Sequence, residues 1–174
     1  QIDLPIELAM RYQNPSIGSA LEKLAKQGVD DLLLIPLFPH YAMSSFETAV
    51  ERVKELISKN HKGMSLKVQP PYYDHEGYID ALSNSMRPFL EAPFDKLLFS
   101  YHSIPKRHVT NYNAQTKSHC LKTEDCCEGC HPVHDVCYRA QCLKTTQAVV
   151  ERLVLKPEQF AVSFQSRLGP EKWL

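Results

Sequence analysis

Leu97-Leu98-Phe99-Ser100-Tyr101-His102-Ser103-Ile104-Pro105 is an apolar run that ends in a histidine and is closed by a proline three residues later. Such a run reads as a buried parallel strand, and the carboxyl ends of strands are where open α/β sheets carry their chemistry. His102 is thereby delivered to the functional edge of a sheet. An imidazole there can accept a proton or ligate a metal near neutral pH; it can equally cap the strand end by hydrogen bonding to a loop.

Outward from this strand the hydrophobic period alternates between two and 3.6. Ile6–Met10 reads as a strand, and Asn14-Pro15-Ser16 supplies a turn and a cap for a helix over about 16–27 that Gly28 stops. Asp31–Phe38 is a second apolar strand, after which Ser44-Ser45 cap a helix over about 45–59. A short strand at Ser65–Gln69, a helix at His75–Leu90 closed near Pro88 or Pro93, a helix over about 139–153 and a last strand at Phe160–Gln165 follow. This alternation predicts an α/β fold, a mostly parallel sheet with helices on both faces. No internal repeat is visible.

Composition narrows the function. Lys plus Arg equals Asp plus Glu at 20 each over 174 residues, so no net field draws nucleic acid or an anionic membrane, and no nucleic-acid partner is expected. No apolar run approaches the roughly 18 residues of a membrane span, and a cytoplasmic location is expected, with peripheral attachment to the inner membrane left open. The start at Gln1 without Met and the ending Lys172-Trp173-Leu174 read as those of a piece of something longer. The oligomeric state is not legible.

All six cysteines fall within residues 120–142, at Cys120, Cys126, Cys127, Cys130, Cys137 and Cys142. Cys127-Glu128-Gly129-Cys130 is a Cys-x-x-Cys knuckle whose spacing lets two thiolates close on one metal. Sulfur ligands select zinc or an iron–sulfur cluster, for which four thiolates are the usual set. His119, His131 and His134 lie among the cysteines and keep a mixed Cys/His zinc site open. The alternative, a disulfide-stapled loop, belongs to secreted chains, which nothing else here resembles.

The remaining candidates sit at strand ends. Arg11-Tyr12 ends the first strand, where a guanidinium can pair with a ligand carboxylate or form an ordinary surface ion pair. Pro39-His40-Tyr41-Ala42-Met43-Ser44-Ser45 ends the second and opens a helix, whose amides favour an anion or are simply capped by serine. Gln165-Ser166-Arg167 ends the last, and with His102 these segments would line one crevice.

Ala9-Met10-Arg11-Tyr12, Ile35-Pro36-Leu37-Phe38-Pro39-His40-Tyr41, Phe99-Ser100-Tyr101-His102-Ser103-Ile104-Pro105 and Ser163-Phe164-Gln165-Ser166-Arg167-Leu168-Gly169-Pro170 occur in that order along nearly the whole chain. Together they resemble the ferrochelatases, which insert ferrous iron into a porphyrin at the end of haem synthesis. The resemblance implies two Rossmann-like lobes with the porphyrin between them. It assigns residues 1–92 to the later part of the first lobe, and 93–174 to the start of the second with a cysteine-rich insertion at about 108–138. It makes His102 the catalytic histidine, a proton acceptor, a metal ligand, or both. Arg11 and Tyr12 match the pair near the metal or porphyrin, and Tyr41 and Ser44 fall in the segment lining the porphyrin pocket. Gln13 and Ala42-Met43 depart from the family pattern, leaving the contacts of those loops unassigned.

Further expectations follow from the same resemblance. Ferrous iron is the substrate metal, and protoporphyrin IX or a related porphyrin the organic substrate. The cysteine segment corresponds to a [2Fe-2S] site of some bacterial members, with Cys120, Cys127, Cys130 and Cys137 preferred, Cys126 the replacement, Cys142 last, and zinc the alternative metal. Adjacent Cys126 and Cys127 are expected to point apart. The family's catalytic glutamate, which faces the histidine across the cleft, is not among these residues, so this stretch alone is expected to metallate porphyrin poorly. A non-catalytic metal-binding module and a chelatase for another tetrapyrrole are the competing functions.

Overall fold

A computed structural model describes residues 4–174. The chain divides into two compact units: one takes the chain up to Phe38 together with Met43–Pro70, the other Pro39–Ala42 together with Pro71–Leu174.

In the first unit, helix α1 (Ile17–Lys26) begins where expected, with Ser16 Oγ accepting from Ser19 N at 3.1 Å. Its buried residues Ile17, Leu21 and Leu24 recur at helical spacing. Strands β1 (Asp31–Leu34) and β2 (Ser65–Val68) pair in parallel, joined through helix α2 (Thr48–Asn60). Ile17 and Leu21 of α1, Val53 and Ile57 of α2, and Met64 form the core, against which Leu32, Leu34 and Leu66 pack. A parallel pair needs such a crossover, and the apolar faces of the two helices supply its cover.

Three expectations for this unit are corrected. Ile6–Met10 builds no ladder; Met10 makes a single parallel bridge to Ser16, its N–H donating to Pro15 O at 2.7 Å. The segment is mostly apolar, but among the described residues no strand pairs with it, and an unpaired strand has no ladder to stabilise it. β1 stops at Leu34 instead of Phe38, because Pro36 and Pro39 offer no N–H and the last ladder bond is Gln69 N to Leu34 O at 2.8 Å. Ser44 and Ser45 do not cap α2: Met43–Glu47 already forms a wide helical turn, and Thr48 Oγ1 donates to Ser45 O at 3.2 Å. With the backbone helical upstream of α2, no first-turn amide is left waiting for a serine hydroxyl.

The second unit holds helix α3 (Glu76–Leu90), strand β3 (Leu97–His102), short helices α4 (Lys106–Thr110) and α5 (Ala114–His119), helix α6 (Tyr138–Leu153) and strand β4 (Phe160–Gln165). β3 and β4 pair in parallel in register from Leu97–Phe160 to His102–Gln165. Ile79 of α3, Phe99 of β3 and Val149 and Val150 of α6 form the core beneath this pair. α3 runs through Pro88 to Leu90: the proline forgoes a backbone N–H and crowds the preceding turn, and the helix ends two residues later. A second cluster collects Ile104, Val109, Val133, Ala140 and four cysteines. Both units are therefore mixed α/β with parallel strands, as the alternating periods predict.

Candidate functional site

β3 carries His102 to its carboxyl end, where the side chain is exposed. Its Nδ1 lies 2.5 Å from Ser103 O. A carbonyl only accepts, so Nδ1 bears the proton and Nε2 presents a lone pair. Ser103 N donates to Gln165 O at 2.7 Å, tying the turn after His102 to the end of β4, and Tyr138 Oη donates to His102 O at 2.9 Å. The histidine is thus held from both sides by its backbone while its ring faces solvent beside Trp173, at 6.5 Å between centroids.

The Pro39-His40-Tyr41 segment belongs to the same unit. Tyr41 N donates to Gln141 Oε1 at 2.6 Å, and the Tyr41 ring meets Tyr112 edge-on at 5.5 Å. Gln141, fully buried, donates through Nε2 to His134 O at 3.1 Å and Asp135 O at 2.8 Å, so one amide ties Tyr41 to the end of the cysteine segment. Gln141→Leu leaves one N–H and two carbonyls without this partner. It is expected to cost about 2 kcal/mol or more in a denaturant melt, and an unchanged midpoint would contradict the role.

His40 stands within the Pro39-His40-Tyr41 motif, where its residue type alone does not mark it as buried. It is buried, edge-on to Tyr101 at 5.6 Å and to Tyr138 at 5.9 Å. Thr145 Oγ1 donates to Tyr73 O at 2.6 Å, so His40 Nε2 must donate to Thr145 Oγ1, 2.9 Å away. Burial lowers the His40 pKa to about 4 from 6.5. Below about pH 6.5 the unfolded chain takes up a proton that the folded imidazole refuses, so the unfolded state binds more protons. Stability is therefore full above about pH 6.5 and falls towards pH 4, by up to about 3 kcal/mol. Urea melts at the two ends of that window check this: His40→Gln should flatten the pH dependence, and an equal loss in both proteins would contradict it.

In the other unit, Arg11 Nε donates to Thr48 O at 3.1 Å, and its guanidinium lies 4.6 Å from the centroid of the exposed Tyr12 ring. Both side chains line a groove of about 530 Å³ with Met10, Asn14, Arg52 and Glu55. Ser44 is exposed in the turn before α2.

The cysteines divide. Cys120, Cys126, Cys127 and Cys137 are buried together in one cluster, while Cys130 is exposed near Tyr73 and Cys142 is buried in α6. Cys126 Sγ and Cys127 Sγ lie 3.8 Å apart, which corrects the expectation that neighbours in sequence must point apart: the turn between α5 and the Cys-x-x-Cys knuckle brings both sulfurs inward. Cys137 hydrogen bonds to both Cys120 and Cys127. The hydrogen bond with Cys137, reinforced by burial, pushes the Cys127 thiol well up; burial raises Cys120 and Cys126. His119 Nε2 and His134 Nε2 donate to Cys126 O at 2.8 and 3.0 Å, and the His119 and His131 rings stack at 4.1 Å. Two histidines thus brace the cysteine loop through its backbone. Among the described residues no three of these groups already form a closed metal shell.

A family model described as ferrochelatase matches residues 1–174. The chain is 46% identical over 171 residues to a ferrochelatase of Ectopseudomonas mendocina, covering 98% of this chain and 50% of that protein. It is 45% identical over 172 residues to one of Opitutus terrae, covering 99% and 50%, and 42% identical over 171 to one of Pseudomonas putida strain F1, covering 98% and 51%. The chain spans about half the length of the curated relatives it matches. No helix among the described residues is long and apolar enough to cross a membrane.

Proposed function

The chain belongs to the ferrochelatase family, and from that premise we propose that the protein carrying it inserts ferrous iron into protoporphyrin IX, forming haem in the cytoplasm. The observation that carries the reading is His102: exposed at the end of β3, with Nδ1–H committed to Ser103 O and the Nε2 lone pair presented outward. A porphyrin must lose two pyrrole protons before a metal can occupy its centre, so the site needs a proton acceptor, and the outward Nε2 lone pair supplies one. When Nε2 takes a proton, the Ser103 carbonyl steadies the imidazolium through Nδ1–H, and solvent at the exposed ring can carry the proton away. Arg11, its Nε held by Thr48 O, keeps its terminal amino groups for a porphyrin carboxylate. Tyr12, Tyr41 and Ser44 complete the porphyrin-facing set in this reading.

The resemblance also implies a [2Fe-2S] cluster, and the donor chemistry suits one: four cysteines belong to one buried core cluster, with Cys126 Sγ and Cys127 Sγ 3.8 Å apart. We assign Cys120, Cys126, Cys127 and Cys137 as its holders in preference to a set containing the exposed Cys130. When bound, the group supplies a one-electron centre and cross-links the loop; four thiolates would also hold zinc. Thiol ligands of this kind persist in a reducing compartment, in keeping with the cytoplasm.

Porphyrin binding to the protein at its relatives' full length, followed by fluorescence quenching, tests the reading against a metal-binding module with no porphyrin chemistry. Arg11→Ala should weaken binding while a cysteine-free variant, compared at a temperature at which circular dichroism shows it folded, keeps it. Binding absent from the wild type, or lost only with the cysteines, would favour the metal-binding module.

A further inference from the structure

Arg139 is the second residue of α6, and its Nη1 lies 3.3 Å from Cys127 Sγ and 3.7 Å from Cys126 Sγ. Nη1 and Nη2 also reach Glu124 O at 3.4 and 3.5 Å, which anchors the guanidinium across the cysteine loop. A cation in the first turn of a helix opposes the positive end of the helix dipole, so the position is favourable only where negative charge compensates it. The N-cap of the same helix is Cys137, with no side-chain cap hydrogen bond, so the positive end of α6 is also directed at the thiol cluster. A thiol is a weak acceptor and returns little to a guanidinium, whereas the sulfurs of a metal-bound group carry negative charge and accept strongly. Two independent sources of positive charge therefore meet at the same group of sulfurs.

We infer that Arg139 is a positioning residue of the thiol cluster, donating N–H···S hydrogen bonds to Cys126 and Cys127 and stabilising the more negative, reduced state of the group they hold. This rests on the assignment of a [2Fe-2S] cluster to these cysteines. One-electron reduction adds one negative charge to the bound group; in solution the electron comes from a chemical reductant and no proton is required. A donor and a positive charge beside the sulfurs favour that added charge, as hydrogen bonds to cluster sulfurs generally do. Lysine keeps the charge but cannot span both sulfurs and Glu124 O with a planar fork.

The experiment is an anaerobic redox titration, followed by visible and electron paramagnetic resonance spectra, of the iron–sulfide-reconstituted protein at its relatives' full length. Wild type, Arg139→Gln and Arg139→Lys are compared, with iron and acid-labile sulfide content and the melting temperature recorded for each. At a fixed potential the reduced-to-oxidised ratio should fall about tenfold in Arg139→Gln, a shift of ~59 mV for a one-electron couple. Arg139→Lys should fall between the two at equal iron content, and it carries the test if the glutamine variant fails to fold. A cluster with the wild-type potential in every loaded variant would overturn the inference while leaving the cluster assignment standing. A wild type that takes up no iron and sulfide would overturn the assignment, and the inference with it.

Discussion

His102→Ala is expected to slow ferrous iron insertion by about 10²–10⁴-fold in the protein at its relatives' full length, with porphyrin binding retained. That range is the usual contribution of a positioned general base, equivalent to ~3–5.5 kcal/mol of transition-state stabilisation. The structure gives the loss a local cause. His102 presents one ring nitrogen outward because the other is committed to Ser103 O, and alanine leaves no acceptor at that point. The backbone bonds from Tyr138 to His102 O and from Ser103 N to Gln165 O do not involve the imidazole, so the strand end should stay in register. His102→Gln keeps a hydrogen-bonding side chain but no basic nitrogen and should be nearly as slow. Insertion within about threefold of wild type in both variants would remove the histidine from the chemistry; loss of porphyrin binding with unchanged turnover of bound porphyrin would make it a binding group.

The second large effect concerns the cysteines. Cys127→Ser and Cys137→Ser are each expected to lose the bound metal, and Cys126→Ser likewise, whereas Cys130→Ser should retain it. Where thiolates close on a metal, binding energy is folding energy, ~10–16 kcal/mol for structural zinc in small domains. Most of the segment between α5 and α6 has no other regular support: its residues form turns and one short helical turn at Pro132–Val136. Ligand loss should therefore also expose this segment to proteolysis and lower the melting temperature of the whole unit, since Cys120, Cys126, Cys127 and Cys137 share a core with Ile104, Val109 and Ala140. Metal content with a proteolysis time course distinguishes the sets. Retention in Cys126→Ser together with loss in Cys130→Ser would return the site to the Cys-x-x-Cys knuckle.

The period of the hydrophobic residues makes the helices and the parallel strands legible, because Ile17, Leu21 and Leu24, or Leu97, Phe99 and Tyr101, turn one face inward; the run Leu97–Tyr101 is not buried on both faces as expected, since Leu98 and Ser100 alternate outward. The Ile6–Met10 segment is not legible in this way: strand propensity needs a neighbour, and pairing is a long-range event. The wide turn at Met43–Glu47 is also hidden, since serine before an apolar helix reads the same whether or not the backbone upstream is already helical. At the site, His102, Tyr41 and the cysteine block stand out by residue type and position. Gln141 and Arg139 do not, because their importance lies in partners 100 residues away or across a loop: Gln141 with Tyr41, Arg139 with Cys126 and Cys127. His40 is intermediate, present in a strand-end motif but distinguished only by its burial between Tyr101 and Tyr138.

In the proposed function His102 accepts the pyrrole protons at a porphyrin-metallating site of the protein carrying this chain. The most direct test of that function is a stopped-flow measurement of the wild-type protein at its relatives' full length, preloaded with protoporphyrin IX under anaerobic conditions and mixed with ferrous iron. The free-base porphyrin spectrum is expected to convert to that of haem. Porphyrin that stays bound and unmetallated in the presence of ferrous iron would contradict the proposed function.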